Sequence, residues 1–125
     1  MPHKDGSAYY PVVCTVSLGS SLTLEIYDTK DDGTREAEPK YRILQEPRSL
    51  LITTGQLYTG YLHGISEVHE YTNLDESTVS NWDLLQHPEA LQDGKLERST
   101  RTSLTYRDVI KVSKLGAKFG NFGQR

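Results

Sequence analysis

The chain is poor in the residues that staple or anchor small proteins. Its 125 residues include one cysteine, Cys14, so a disulfide within the chain is excluded, and a reducing compartment fits. Lying inside the apolar run YPVVCTV, that thiol reads as buried and inert. No stretch approaches the about 18 consecutive apolar residues of a membrane span. The opening MPHKDG has no apolar segment of the kind a secretory signal carries. Neither secretion nor membrane insertion is expected, which leaves the cytoplasm and nucleus. Long helical periodicity and internal repeats are missing too. There are two phenylalanines and one tryptophan, and the aromatic content comes mainly from eight tyrosines.

What remains suits one globular domain. A hydrophobic content of 35% with ten glycines is lean but not disordered, and this length supports a single core. The net charge of −3 conceals an asymmetry. Residues 1–94 carry −9, whereas residues 95–125 carry +6, with eight Lys and Arg against Glu97 and Asp108. Such a split reads either as a basic arm for nucleic-acid phosphates or as a solvated tail. Lys111, Lys114 and Lys118 are the tail candidates.

Strand signals dominate the organisation. Tyr10 to Leu18 and Leu22 to Tyr27 are rich in Val, Thr, Leu and Tyr, and the LGSS between them is a turn signal, which predicts an antiparallel pair. In the second, Leu22, Leu24 and Ile26 alternate with Thr23, Glu25 and Tyr27. Residues 28–42 are polar and turn-rich and read as a surface loop. Ser49 to Thr53 and Leu57 to Leu62 are two further strand candidates hinged at Gly55. Residues 66–97 read as a long acidic insertion in which NWDLLQHPEAL forms a short helix broken at Pro88. The last strand falls in STRTSLTYRDVIKV. Many strands and no long helix predict an all-β barrel or sandwich.

Three pieces carry chemistry. His3 and Asp5 form a His-x-Asp pair beside the first strand, an ordinary motif when taken alone. His63, in YLHGI, follows 58 residues after Asp5 at the end of a predicted strand. Two imidazoles and a carboxylate can occupy one face of an octahedral Fe(II) and leave three positions open. The alternative for His63 is a hydrogen-bonded core histidine, and His69 and His87 read as surface residues of the acidic insertion. The third piece is RTSLTYR, where Arg101, Ser103, Thr105 and Arg107 share one face of a strand. Two guanidiniums and two hydroxyls on one face suit a dicarboxylate, although an exposed basic face is the plainer reading.

In that order, MPHKDG and YYPVVCTVSLGS, then EPRSLL, LHGI and RSTRTSLTYR resemble the AlkB-type branch of the 2-oxoglutarate- and Fe(II)-dependent dioxygenases. The family's R-x-N-x-T-x-R pattern appears with Ser103 in the asparagine position. This resemblance implies a double-stranded β-helix, or jelly-roll, over residues 1–110, with insertions at 28–42 and 66–97 and a basic tail at 111–125. It implies Fe(II) on His3, Asp5 and His63, with the 2-oxoglutarate carboxylates held by Arg101 and Arg107 and the same wall lined by Ser103 and Thr105. With O2 as cosubstrate, the implied reaction is oxidative hydroxylation or demethylation of an alkylated nucleic acid or protein. Tyr9 and Tyr10 are candidates for touching substrate, with core packing as the alternative. The family's Asn-x-Tyr-x-x-Gly segment has no counterpart before His3, so the jelly-roll is expected to be truncated at the N-terminus. A sheet without that part leaves an unpaired edge. A second expectation follows, of an inactive fragment that keeps metal or nucleic-acid binding. A cupin-like metal binder is more distant, because the extra histidine and glutamate of such a site are missing.

Overall fold

A computed structural model describes residues 1–91 and 93–111. The tail candidates Lys114 and Lys118 lie outside the described residues. Eight strands account for most of the regular structure: β1 (Tyr9–Leu18), β2 (Leu22–Tyr27), β3 (Tyr41–Gln45), β4 (Leu50–Thr54), β5 (Leu62–Gly64), β6 (Glu70–Tyr71), β7 (Leu96–Glu97) and β8 (Thr102–Val109). One short helix, α1 (Gly55–Thr59), interrupts them. Two three-stranded antiparallel sheets, ordered β4-β1-β8 and β3-β2-β5, enclose a cavity, and β6 pairs with β7 apart from both. Successive strands cross repeatedly between the sheets, which makes the fold all-β and jelly-roll-like without a closed barrel. No helix among the described residues is long and apolar enough to cross a membrane.

Alternation decides what faces the cavity. Because strand side chains point to opposite faces with a period of two, Val13 and Thr15 of β1, Leu22, Leu24 and Ile26 of β2, and Ser103 and Thr105 of β8 all turn inward. Thr15 lies opposite both Leu51 and Thr105, so all three strands of the first sheet contribute to one wall. Gly19 turns the chain between β1 and β2 at a φ of +85°, where a β-carbon would come within 2.7 Å of the Thr100 carbonyl. Only glycine fits that turn without moving the neighbouring chain.

Five local expectations change. β1 and β2 do not form the predicted antiparallel pair: the turn at Gly19 carries the chain from one sheet to the other, so β1 lies between β4 and β8 and β2 between β3 and β5. The predicted strand from Leu57 to Leu62 is instead α1 followed by the three-residue β5. Gly55, at a φ of +56°, turns the chain out of β4, and the helix then buries Tyr58. Tyr41 and Arg42, read as the end of a loop, open β3. The helix predicted in NWDLLQHPEAL is two separate 3-10 turns, Trp82–Leu84 and Pro88–Leu91. Cys14 is half-buried rather than buried, because it points to the outer face of the first sheet between Ile52 and Tyr106.

The acidic segment after β5 does more than loop over the surface. Tyr71, Leu74, Val79 and Leu91 pack with Leu22 and Leu44 into a hydrophobic cluster, against which Trp82, Leu85 and Leu96 close. Asn81 latches this layer to β3: its amide donates to the Leu44 carbonyl at 2.8 Å and its oxygen accepts from the Leu44 N–H at 2.9 Å. The side chain thus does for an edge strand what another strand's backbone would do. By contrast, the outer face of the first sheet, including Leu50, Ile52, Leu104 and Tyr106, is exposed.

Leu74 is 0% exposed, so Leu74→Ala is expected to cost about 2–5 kcal/mol. Leu84, 76% exposed, is the control, and Leu84→Ala should stay within about 0.5 kcal/mol of the parent. Urea unfolding measures both; equal midpoints for the two variants would show that the acidic segment carries no core.

Candidate metal centre

The first residues are tied to the far end of the second sheet. His3 N–H donates to the His63 carbonyl and His63 N–H to the His3 carbonyl, each at 2.9 Å, forming an isolated antiparallel bridge. That pairing sets the two imidazoles side by side, with ring centroids 4.6 Å apart. Gly64 makes the close approach possible, since a β-carbon there would lie 2.8 Å from Pro2 Cγ and 3.1 Å from Pro2 Cα. A second tether comes from α1, where the Tyr58 hydroxyl donates to the Gly6 carbonyl at 2.9 Å and holds the turn after Asp5.

One ligand atom from each of His3, Asp5 and His63 can be chosen so that all three lie within 4.8 Å of one another. Among the described residues this is the only cluster of His, Cys, Asp and Glu that close. The Nδ1 of His3 is 3.2 Å from the Met1 carbonyl, which can only accept, so in the tautomer that makes this bond Nε2 is the atom open to a metal. His63 is half-buried, and burial lowers its pKa from the usual 6.5, opposed by the neighbouring Asp5 carboxylate. At neutral pH the imidazole is therefore uncharged and able to donate to a metal.

Asp5 connects this cluster to β8. Its carboxylate, 8% exposed, accepts a 2.9 Å ion pair from Arg107, whose guanidinium lies 5.5 Å from the Tyr9 ring centroid. The β1–β8 register shifts between Tyr9 and Val13, beside that contact. At the other end of the strand, Arg101 donates to Ser17 Oγ at 2.8 Å and to Gln45 Oε1 at 3.4 Å. Its Nε is buried with no partner, and no carboxylate pairs with it among the described residues. Burial lowers its pKa from the usual value, but a guanidinium stays charged. An unneutralised, half-buried cation with a spare donor is a ready partner for an anion.

Both arginines, Ser103, Thr105 and the three clustered residues line one cavity of about 200 Å³. That is smaller than the about 300–1,000 Å³ of drug-sized sites and suits a small organic acid. Leu24, Ile26 and Leu51 supply apolar walls. Two imidazoles and one carboxylate are the donor set preferred by non-haem Fe(II) with open positions, so the residues present fit that ion.

The structure thus brings together His3, Asp5, His63, Arg101, Ser103, Thr105 and Arg107, and places Tyr9 against Arg107. Tyr10 is exposed and does not line the cavity. His69 and His87 are exposed and are not part of the cluster. Among the described residues of the basic stretch, Arg98 donates to the Ser66 and Val68 carbonyls and Arg101 and Arg107 line the cavity, while Lys95 and Lys111 are exposed. Contacts invisible in the sequence are Asp5 with Arg107, Arg101 with Ser17 and Gln45, and Tyr58 with Gly6. Each joins segments far apart in the chain, and no local pattern announces it.

Fold and site together define a jelly-roll-like protein with two histidines and an aspartate clustered opposite an arginine-bearing strand. The chain belongs to the AlkB family. It is 37% identical over 118 residues to the Danio rerio protein named "Probable RNA/DNA demethylase ALKBH6", a match that covers 90% of this chain. The match covers 48% of that relative, so the chain spans about half its length. No protein-family model matches the chain.

For the metal-free chain, NMR titration of His63 is expected to give a midpoint below 6.5, and Asp5→Asn should lower it further by removing the charge that favours the imidazolium. Folding disfavours the charged ring, so this group's contribution to stability is complete above about pH 6.5 and is lost as pH falls through the folded value. A midpoint above 6.5 would contradict the burial of the ring.

Proposed function

We propose that residues 1–110 supply the metal- and keto-acid-binding part of an Fe(II)- and 2-oxoglutarate-dependent dioxygenase that oxidises an alkylated nucleic acid. The observation that carries this reading is one cavity joining the His3–Asp5–His63 cluster to Arg101 and Arg107. Family membership supports the class of reaction, and the zebrafish relative's description supports the class of substrate.

In this reading, His3 Nε2, His63 and one Asp5 oxygen hold the ion. Asp5 offers its other oxygen to Arg107, which fixes the carboxylate's orientation. Arg101 grips one carboxylate of the keto acid, oriented by Ser17 and Gln45, and Arg107 lies beside the ligand cluster to meet the other. Ser103 and Thr105 add hydroxyl donors between them. Leu24, Ile26 and Leu51 place apolar surface beside these charges, and less polar surroundings strengthen a charged contact. An Fe(II) ion held by His3, Asp5 and His63 would supply the redox chemistry that links decarboxylation of 2-oxoglutarate, to succinate and CO2, with oxidation of a substrate C–H bond by O2.

A second reading, a chain that binds metal but does not turn over, is favoured by one feature. β8, which carries the keto-acid residues, is the edge of its sheet and exposed along its whole length. Succinate formation separates the two. With Fe(II), 2-oxoglutarate and O2, the chain is expected to release succinate, His63→Ala to lose at least about 10-fold in rate, and Arg101→Ala to raise the KM for 2-oxoglutarate by about 10-fold or more. Equal succinate rates in the parent and His63→Ala would overturn the proposal. Metal binding without succinate would favour the second reading.

A further inference from the structure

A second cavity, of about 360 Å³, adjoins the first and shares Ile43 and Leu57 with it. Its remaining walls are Tyr41, Tyr61, Gln56 and Ser80. Tyr41 lies opposite Ile26, and Ile26 lies opposite His63, so Tyr41 and His63 share the cavity-facing side of the second sheet. Two strand spacings, about 10 Å, separate them. Tyr61 precedes His63 by two residues and meets Tyr41 edge to face, with centroids 6.1 Å apart. Lys40 braces the pair: it donates to Asp28 at 2.8 Å and to the Tyr61 hydroxyl at 3.1 Å, and it lies 5.0 Å from the Tyr61 centroid. Those contacts, the Asp28 bond foremost, raise its pKa above the usual value.

None of these side chains is needed for the metal or the keto acid. Packing does not account for Tyr41 either, since it is 40% exposed at the start of its strand. Two aromatic rings and two aliphatic side chains form a surface for a flat apolar group. The Gln56 amide and the Ser80 hydroxyl give donors and acceptors at its edge. A ligand that is flat, aromatic, and rich in hydrogen-bonding atoms at its rim matches that lining, and at this volume the cavity is within the range of organic-ligand sites.

We propose that Tyr41, Tyr61, Ile43 and Leu57 form a stacking subsite for a nucleobase flanking the base that reacts, with Gln56 and Ser80 at its edge. This rests on a nucleic-acid substrate and specifies how that substrate is held. The base sits about two strand spacings from His63, beside the cavity mouth rather than in it. Stacking on aromatic side chains tolerates any base, so the subsite positions a single strand without selecting its sequence.

The test is fluorescence anisotropy of the full chain with a short labelled single-stranded oligodeoxynucleotide, and with the same strand made abasic. Tyr41→Ala with Tyr61→Ala is expected to weaken binding of the intact strand at least about fivefold. Binding of the abasic strand should be weak and unchanged by that pair. Tyr41→Phe with Tyr61→Phe keeps the rings and should bind as the parent does, which separates lost stacking from damaged folding. Equal affinity of the parent and the alanine pair for the intact strand overturns the subsite. No strand binding at all by the parent overturns it too, as does displacement of the strand by a tyrosine-rich peptide at lower concentration than by free strand. Succinate formation without nucleic acid judges the dioxygenase reading independently of all these outcomes.

Discussion

The site depends on the backbone bridge between His3 and His63. Two 2.9 Å hydrogen bonds join a segment that precedes every strand to the end of the second sheet, and each partner carries one imidazole of the candidate metal cluster. Each bond contributes about 0.5–1.5 kcal/mol net, so the bridge alone is a modest latch. It holds because neighbours reinforce it: Gly64 leaves room for Pro2, and Tyr58 pins the Gly6 carbonyl. Asp5 lies between these anchors and is drawn to Arg107. Opening the latch would remove His3 and Asp5 together. Metal binding and ordering of the first residues are therefore linked, and an ion that binds the closed form stabilises it by mass action.

Charge within the cavity is arranged in two distinct ways. Arg107 is matched by Asp5, so that end is locally neutral and geometrically fixed. Arg101 has only neutral partners in Ser17 and Gln45, and so a half-buried positive charge faces the cavity without a counterion among the described residues. Burying a charge without a partner is costly, and the cost is relieved by a ligand that brings the opposite charge. A dicarboxylate meets that condition at one end and the ligand cluster at the other.

The two sheets are supported unequally. Behind the second, the segment after β5 builds a separate hydrophobic cluster and latches onto β3 through Asn81. Thr23, Glu25 and Tyr27 of β2, on the outer face, are buried beneath it, and Glu25 accepts hydrogen bonds from both Tyr27 and Ser66. Among the described residues no such layer covers the first sheet, whose outward side chains include Leu50, Ile52, Leu104 and Tyr106. The better-supported sheet is the one that carries His63 and the two tyrosines at the cavity mouth.

Strand alternation was legible because a period of two is local. Leu24 beside Ile26, and Ser103 beside Thr105, share a face in any extended chain, and the cavity lining follows that pattern. Motif order likewise pointed to His3, Asp5, His63, Arg101 and Arg107, and all five line one cavity. What the sequence could not reveal was set by contacts between distant segments. Leu57 and Tyr58 looked strand-like, but Gly55 turns the chain and Tyr58 is buried against the ligand turn in a helix. Tyr71, Leu74, Val79 and Leu91 have no regular spacing, so an acidic segment concealed a core that exists only when laid against Leu22 and Leu44. Residue types and strand faces came from the sequence by itself, because they depend on neighbours in the chain. The backbone bridge between His3 and His63, the Asp5–Arg107 pair and the shared wall of two cavities came from tertiary structure alone, because they depend on which strands meet.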